Sequence, residues 1–275
     1  MSCGLVIAFV LTLLSVGGRP ASAHDFWIEP SSFDVEEGRG VVLALRVGDH
    51  FRGDPVPRKA AHQAAFRWTG PGGSSVDVNG IEGRDPAGLV GSLAAGTSIA
   101  SYVSTPQRSV LLGPTFQAYL LEEGFRHALD ARRGHEDEPG VESYTRCAKA
   151  LVRTADANGL VDRRLGLPLE LVASGPALAG ADASDLGILV LRDGKPAEGV
   201  RVVARRRGYE NDVHEATTNA DGKARLPLPE GEAIWLVRAV VLEQEGAEVT
   251  RWRSHWASLI FERRPPRRPV AGSGD

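Results

Sequence analysis

A histidine stands directly behind an Ala-Ser-Ala triplet in the stretch ASAHDFWIEP, which begins at Ala21. Small residues at Ala21 and Ala23 are what an export peptidase requires, so cleavage after Ala23 would make His24 the first residue of the mature chain. The α-amine of such a residue, with a pKa of about 7.7 to 8.0, and its imidazole can chelate one metal ion. That donor pair suits Ni(II), Co(II) or Cu(II) rather than Ca or Mg. We therefore predict His24 as the anchor of a transition-metal site.

A chelating terminus needs further ligands, and six other histidines are available: His50, His62, His127, His135, His214 and His255. We predict His50 as the second ligand, because VGDHFRGDP places it beside Asp49 at the end of a predicted strand. His127, on a predicted helix near Glu123, is the third candidate. The alternative for each is a solvated imidazole, and for His24 a plain polar terminus. None of the histidines has the His-x₃-His spacing that defines a metal site from sequence alone.

Several enzyme signatures are missing from the chain. It has no Gly-x-Ser-x-Gly elbow, no glycine-rich phosphate loop and no His-Glu-x-x-His. Cys147 lies in a predicted amphipathic helix, where a cysteine is more typical of the core than of a nucleophile. The tryptophans alternate with aliphatic residues, which favours core positions over a sugar-binding face. We therefore predict no catalytic residues and a binding protein rather than an enzyme.

The amino-terminal segment is typical of an export signal. Residues 5–16, LVIAFVLTLLSV, are apolar but fall short of the roughly 20 residues that a spanning helix needs. No later run is apolar for long enough to span a membrane, so we expect a soluble periplasmic or secreted protein without a transmembrane anchor after cleavage. The formal net charge of −3 does not indicate nucleic-acid binding. Of the two cysteines, only Cys147 would remain after cleavage, so packing rather than a disulfide must stabilise the fold.

Aliphatic and β-branched runs bounded by Gly, Pro and Asn predict a mainly β protein. The first group of strands has the spacing of a β-sandwich: GRGVVLALRVGDHF, AAFRWTG, SSVDVNG, SIASYVST and, later, LPLELVAS. A helical segment interrupts this group over about residues 115–153. Apolar spacings of three and four predict one helix in PTFQAYLLEEGFRHALDARRG, interrupted near Gly124, and a second in VESYTRCAKALVRT.

A second sandwich is predicted after the linker GPALAGADASD. Its aliphatic runs are separated by Asn-Ala-Asp-Gly and Pro-Glu-Gly, residues that tolerate the positive φ of tight turns. The pattern is typical of an Ig-like or transthyretin-like domain. The predicted organisation is a signal peptide over 1–23, a β-sandwich with a helical insertion over 24–178, an Ig-like β-sandwich over 184–263, and a disordered Pro- and Arg-rich tail over 264–275.

The motifs AHDFWIEP, LRVGDHFRGDPVPR, FQAYLLEEG, YTRCAKALV, GLPLELV and HWASLIFE, in this order, resemble the bacterial domain-of-unknown-function family 4198. That family is linked to the periplasmic component of nickel and cobalt uptake systems, so the resemblance implies transition-metal handling. His24, Asp25 and Trp27 match its opening motif, and His50 falls in its second. The resemblance implies a metal ion as ligand and a membrane metal transporter or an envelope protein as partner.

Three functions are compatible with these observations. The one that we predict is a periplasmic protein that captures or delivers a Ni, Co or Cu ion through His24 and His50. The second is a non-catalytic interaction module of the cell envelope, because an Ig-like fold hosts many functions and implies none. The third is a copper enzyme, because an amino-terminal histidine brace on a β-sandwich also occurs in oxidative polysaccharide-cleaving enzymes.

Overall fold

The structure, a computed structural model, describes residues 24–155, 159–182 and 184–264, and these form a mainly β protein with stacked sheets. The predicted fold class is thereby confirmed. The predicted signal peptide and all of the predicted tail except Arg264 lie outside the described residues. Among the helices of the described part, none has the length and apolar character needed to cross a membrane.

The elements follow one another along the chain as strands, a helical hairpin and strands again. The strands before the helices are β1 (Asp25–Pro30), β2 (Asp34–Val35), β3 (Val41–Asp49), β4 (Arg52–Val56), β5 (Gln63–Thr69), β6 (Ser75–Asp77), β7 (Gly88–Val90), β8 (Gly96–Ser104) and β9 (Gln107–Leu111). The helices are α1 (Gly113–Glu123) and α2 (Arg126–Ala131). The later strands are β10 (Gly140–Thr154), β11 (Leu169–Ser174), β12 (Asp185–Arg192), β13 (Lys195–Pro196), β14 (Arg201–Arg206), β15 (Val213–Thr217), β16 (Lys223–Pro227), β17 (Ala233–Gln244) and β18 (Arg251–Arg263).

These strands build three sheets. In the amino-terminal sheet the order is β1-β3-β4, with β7 also paired to β3. In the central sheet the order is β15-β14-β17-β18-β10-β8-β5-β6, with β2 and β9 also paired to β10. In the third sheet the order is β11-β12-β13, with β16 also paired to β12.

The central sheet is covered on both faces, because successive side chains of a strand point to opposite sides. Ala150 of β10 packs in one core with Ile28 and Leu43 of the amino-terminal sheet. Its neighbour Leu151 packs in the other core with Ile188 of the third sheet. The molecule therefore consists of two sandwiches that share their middle layer.

This shared layer joins strands from both predicted domains. β10 and β18 run parallel, with Val141 opposite Arg251 and Ala150 opposite Ile260. The predicted linker lies between β11 and β12, which are antiparallel neighbours in the third sheet. The domain boundaries remain a prediction from sequence. β10, from the first predicted domain, and β18, from the second, are neighbours in the central sheet.

The second predicted helix is wrong, because VESYTRCAKALVRT forms the central strand β10. From Cys147 to Thr154 every residue is buried, since both faces of the strand are covered. Strands buried on both faces lose the alternation of polar and apolar residues, and their continuous apolar runs imitate a helix. The first helical prediction is confirmed as α1 and α2, separated at Gly124, which has a φ of 77° and ends α1. The helical segment therefore covers 113–131 rather than about 115–153.

The predicted Asn-Ala-Asp-Gly turn connects β15 to β16. The Asn219 side-chain oxygen accepts hydrogen bonds from the backbone N–H groups of Asp221 and Lys223. Gly222 has a φ of 72°, a conformation that glycine adopts without steric cost. This turn carries the chain from the central sheet to the third sheet.

Candidate functional site

His24 lies immediately before β1 and beside Asp49, the last residue of β3. Antiparallel pairing sets Asp25 opposite Gly48, which brings His24 level with Asp49. The distance from His24 Nε2 to Asp49 Oδ2 is 3.3 Å, and the two side chains are 35% and 38% exposed. An imidazole and a carboxylate therefore meet at a place that solvent and solutes can reach.

His50 follows Asp49 in the two-residue connection between β3 and β4. His50 and Phe51 have φ values of 53° and 60°, and two consecutive positive φ values are typical of the type I′ turns that close hairpins. The His50 side chain faces an open pocket of about 420 Å³ that Arg205 and Glu210 also line. His50 thus lies beside Asp49 along the chain, at a pocket that it shares with the connection between β14 and β15.

His127, the third predicted ligand, lies elsewhere, on α2. Its Nε2 is 3.0 Å from the backbone oxygen of Leu242, and its ring packs near Phe125 and Trp252. In the part of the chain that the structure describes, no three or more His, Cys, Asp or Glu residues are grouped as metal ligands. The structure therefore brings His24 to Asp49 but does not gather His24, His50 and His127 around one point.

Three of the four remaining histidines have partners or surroundings that the structure defines. His135 Nδ1 lies 2.8 Å from Glu138 Oε1, and His214 Nε2 lies 2.7 Å from Asp212 Oδ1. His255 is buried, and loss of hydration lowers its pKa. These positions agree with structural or solvated histidines.

A buried charge cluster is formed by Asp25, Glu123 and Arg238, and it begins at the residue that follows His24. Arg238 donates hydrogen bonds of 2.9 and 2.7 Å to the two carboxylate oxygens of Glu123, and its Nε lies 3.1 Å from Asp25 Oδ1. The three residues are 5%, 6% and 8% exposed. Burial raises the pKa of Asp25 to about 6, although the positive charge of Arg238 opposes this shift. The charge cluster ties β1, the end of α1 and β17 together.

Arg146, from the central strand β10, connects the same region to the backbone of His24. Its Nη1 donates a hydrogen bond of 3.2 Å to the His24 carbonyl oxygen. Its guanidinium carbon lies 5.4 Å from the ring centres of both Phe26 and Tyr144, a distance at which a cation is attracted to an aromatic ring. Arg146 therefore holds the carbonyl group of His24 in place.

A second polar network fastens α1 to the central sheet. The carboxylate of Glu142 accepts hydrogen bonds from the hydroxyls of Ser254 and Tyr119, the latter over 3.3 Å. Trp256 Nε1 donates to Ser254 over 2.9 Å. Burial raises the pKa of Glu142, while these hydrogen bonds to the carboxylate act in the opposite direction.

Sequence reasoning missed both networks, because nothing local in the chain pairs Asp25 with Arg238 or Glu142 with Ser254. It did predict that Cys147 is a core residue; Cys147 is 2% exposed, and burial raises the pKa of its thiol to about 12. A thiol that stays protonated is not a nucleophile at neutral pH. His24 and Asp49 thus form a polar pair at a solvent-accessible edge, next to buried ion pairs.

Several solved structures are similar to this chain at low sequence identity. A tetra-tandem repeat in the extending region of a large adhesion protein is 14% identical, covers 87% of this chain and 49% of its own, and has a TM-score of 0.22. The chain thus spans about half the length of that relative. The D0-D1 domain of intimin is 13% identical, with 86% and 97% coverage and a TM-score of 0.22. Trypsin-activated alpha-2-macroglobulin from Escherichia coli is 12% identical, with 90% and 16% coverage and a TM-score of 0.22. Scores of this size carry no argument about function.

No match was found among curated proteins. A family model does match, and it covers residues 21–243, which is most of the chain and includes His24, β1, the helical hairpin, β10 and all but the last residue of β17. The chain therefore belongs to the family described as Domain of unknown function (DUF4198).

Proposed function

We propose that the chain beginning at His24 binds a borderline transition-metal ion, Ni(II), Co(II) or Cu(II), as cargo. The observation that carries this proposal is the 3.3 Å separation between His24 Nε2 and Asp49 Oδ2. Donor atoms that bind one ion at about 2.0 to 2.2 Å each lie about 3 Å apart when they are adjacent in its coordination shell. The imidazole and the carboxylate are thus spaced as two adjacent ligands.

The α-amine of His24 supplies the third donor of the proposed site. It exists only if the precursor is cut between Ala23 and His24, so export and assembly of the site are coupled. Two nitrogen donors and one carboxylate form a borderline ligand set that favours late first-row ions. Hydrogen bonding from Arg146 and the pairing of β1 with β3 hold His24 in place before the ion arrives, which reduces the ordering cost of binding.

Exposure of the two side chains favours cargo over a resident cofactor. His24 and Asp49 are each more than a third exposed, so an ion can enter and leave without opening the fold. We propose that capture and delivery take place in the periplasm, with a membrane metal transporter or an envelope protein as the receiving partner; the export signal predicted from sequence supports the compartment.

The other two candidate functions fit less well. A copper histidine brace needs a second imidazole beside the terminal histidine, whereas the side chain beside His24 is the carboxylate of Asp49. An interaction module is compatible with the fold, but it does not explain why the side chains of His24 and Asp49 lie side by side.

The proposal is tested by moving the α-amine. A chain with its native terminus at His24 and a chain that retains Ala23 are released from a fusion, and both are titrated with Ni(II), Co(II) and Cu(II) by calorimetry. We expect the retained alanine to weaken binding at least about tenfold, or about 1.4 kcal/mol. Asp49→Asn in the chain that starts at His24 should weaken binding by a similar factor.

His135→Ala serves as the matched control, since its imidazole pairs with Glu138 in an exposed loop. It should bind like the unaltered chain. Equal affinity with and without Ala23 would exclude the chelating terminus. Failure of the chain that starts at His24 to bind any of the three ions would make the interaction module the better-supported function.

A further inference from the structure

Lys149, Asp162 and Glu170 form a triad that is enclosed within the protein. Their side chains are 1%, 0% and 1% exposed. Lys149 lies on β10, Glu170 on β11, and Asp162 in the irregular segment before β11. Lys149 Nζ is 2.6 Å from Asp162 Oδ1 and 3.5 Å from Glu170 Oε1. It also donates hydrogen bonds of 2.9 Å to the carbonyl oxygens of Arg163 and Leu171.

The triad contains two acids and one base, so full ionisation would leave one uncompensated negative charge in the core. Such a charge is costly to bury, and one carboxyl group is expected to keep its proton. The Glu170 carboxylate accepts hydrogen bonds from three backbone N–H groups, those of Leu165 at 2.6 Å, Gly166 at 2.9 Å and Leu167 at 3.4 Å, whereas the Asp162 carboxyl accepts two. Burial raises the pKa of Asp162, so the surplus proton belongs there.

We propose that Lys149 and Asp162 condense to an intramolecular isopeptide bond, with Glu170 as the proton acceptor. The amine, the acid and the base are in contact, and their enclosure removes the water that would compete for the reacting groups. The product replaces a buried cation and a buried acid by a neutral amide, whose burial costs less than that of an ion. This inference is independent of metal binding at His24.

The reaction balances without an oxidant, a reductant or a further reactant. The Lys149 ammonium transfers one proton to the Glu170 carboxylate, and the neutral amine attacks Cγ of protonated Asp162. The C–N bond forms, the C–OH bond breaks, and the hydroxyl leaves as water with a second proton from the nitrogen. Lys149 and Asp162 end as an amide, and Glu170 ends as a neutral acid.

Two backbone N–H groups assist this attack. Arg163 N lies 2.7 Å from Asp162 Oδ1, and Ala173 N lies 2.8 Å from Asp162 Oδ2. Donors placed in this way stabilise the negative charge that develops on a carboxyl oxygen during addition. The resulting bond would join the middle strand of the central sheet to the segment that leads into the third sheet.

Peptide masses test the proposal. The full chain is purified in its folded form, unfolded and digested with trypsin. We expect peptides 147–153 and 154–163 to be released as one linked species, whose mass is one water less than the sum of the two, with no cleavage after Lys149. Fragmentation should place the link between Lys149 and Asp162. Separate peptides with cleavage after Lys149, or loss of water within one peptide, would overturn the proposal.

Two variants assign the roles of the side chains. Lys149→Arg keeps the positive charge but cannot form the amide, so it should have the full mass and the circular dichroism of the folded chain. Glu170→Gln removes the proton acceptor and should leave peptides 147–153 and 154–163 unlinked. A folded Glu170→Gln chain that still carries the link would overturn the role of Glu170. If either variant does not fold, the peptides of the unaltered chain still decide whether the bond exists.

Discussion

Arg146 Nη1 donates a hydrogen bond of 3.2 Å to the backbone oxygen of His24, across a sequence separation of 122 residues. Arg146 belongs to β10, the strand that both sandwiches share. The position of the proposed metal-binding terminus therefore depends on the centre of the fold rather than on the terminus itself. The buried charge cluster of Asp25, Glu123 and Arg238 adds a second attachment one residue further along.

Replacing Arg146 by lysine should loosen His24 and weaken metal binding. A lysine lacks the planar guanidinium group, which contacts the Phe26 and Tyr144 rings and donates to the His24 carbonyl at the same time. Loss of one hydrogen bond of about 1 kcal/mol corresponds to a roughly fivefold lower affinity for Ni(II). Calorimetric titration of the chain that starts at His24 measures this change. Arg133→Lys, at an exposed arginine paired with Asp130, is the control and should bind normally. Unchanged affinity in Arg146→Lys would show that Arg146 does not position His24.

Replacing Arg238 by methionine should destabilise the fold strongly. The substitution leaves the Asp25 and Glu123 carboxylates buried without their shared cation, and breaking a buried pair in this way costs about 3 to 5 kcal/mol. Urea unfolding monitored by tryptophan fluorescence measures the loss.

The matched control for Arg238→Met is Arg133→Met. Arg133 also pairs with a carboxylate, Asp130, but both side chains are mostly exposed, so its loss should cost less than about 1 kcal/mol. Adding Glu123→Gln to Arg238→Met should recover part of the stability, because it removes one of the unpaired charges. Equal losses in the two single variants would contradict a stabilising role for the buried cluster.

Cys147 should make the fold sensitive to alkaline pH. Its pKa is raised from 9.0 to about 12 by burial, so between these values the unfolded chain loses the thiol proton and the folded chain keeps it. The unfolding free energy should therefore fall with rising pH in this window, by at most about 1.4 kcal/mol per pH unit from this group. Below pH 9 the contribution of Cys147 to the unfolding free energy should not change with pH.

Comparison with Cys147→Ala isolates this effect. Urea unfolding of both chains at pH 8, 9, 10 and 10.5 should give a stability difference that is constant up to pH 9 and then shifts in favour of the alanine variant. Parallel pH profiles above pH 9 would contradict the raised pKa. The same property predicts slow alkylation of Cys147 by iodoacetamide at pH 8 in the folded chain and fast alkylation in urea.

Local patterns in the sequence determined the elements whose signals are local. β3, β5 and β8 were predictable because their apolar runs end at Gly, Pro or Asn residues that favour turns. Helix α1 was predictable from its apolar spacing and from Gly124, which ends it. Family membership could likewise be inferred from short motifs in order along the chain, and the family model supports it over residues 21–243.

Tertiary structure alone decided the features that depend on which strands become neighbours. VESYTRCAKALVRT has the apolar content of a helix, and it is a strand because sheets cover both of its faces and β18 runs parallel beside it. The register of β1 against β3 places Asp49 beside His24, and the strand order of the central sheet places Arg238 between Asp25 and Glu123. The physical reason is that residue types and local spacing limit which groups can ionise, donate or bind, whereas long-range register determines which of them meet.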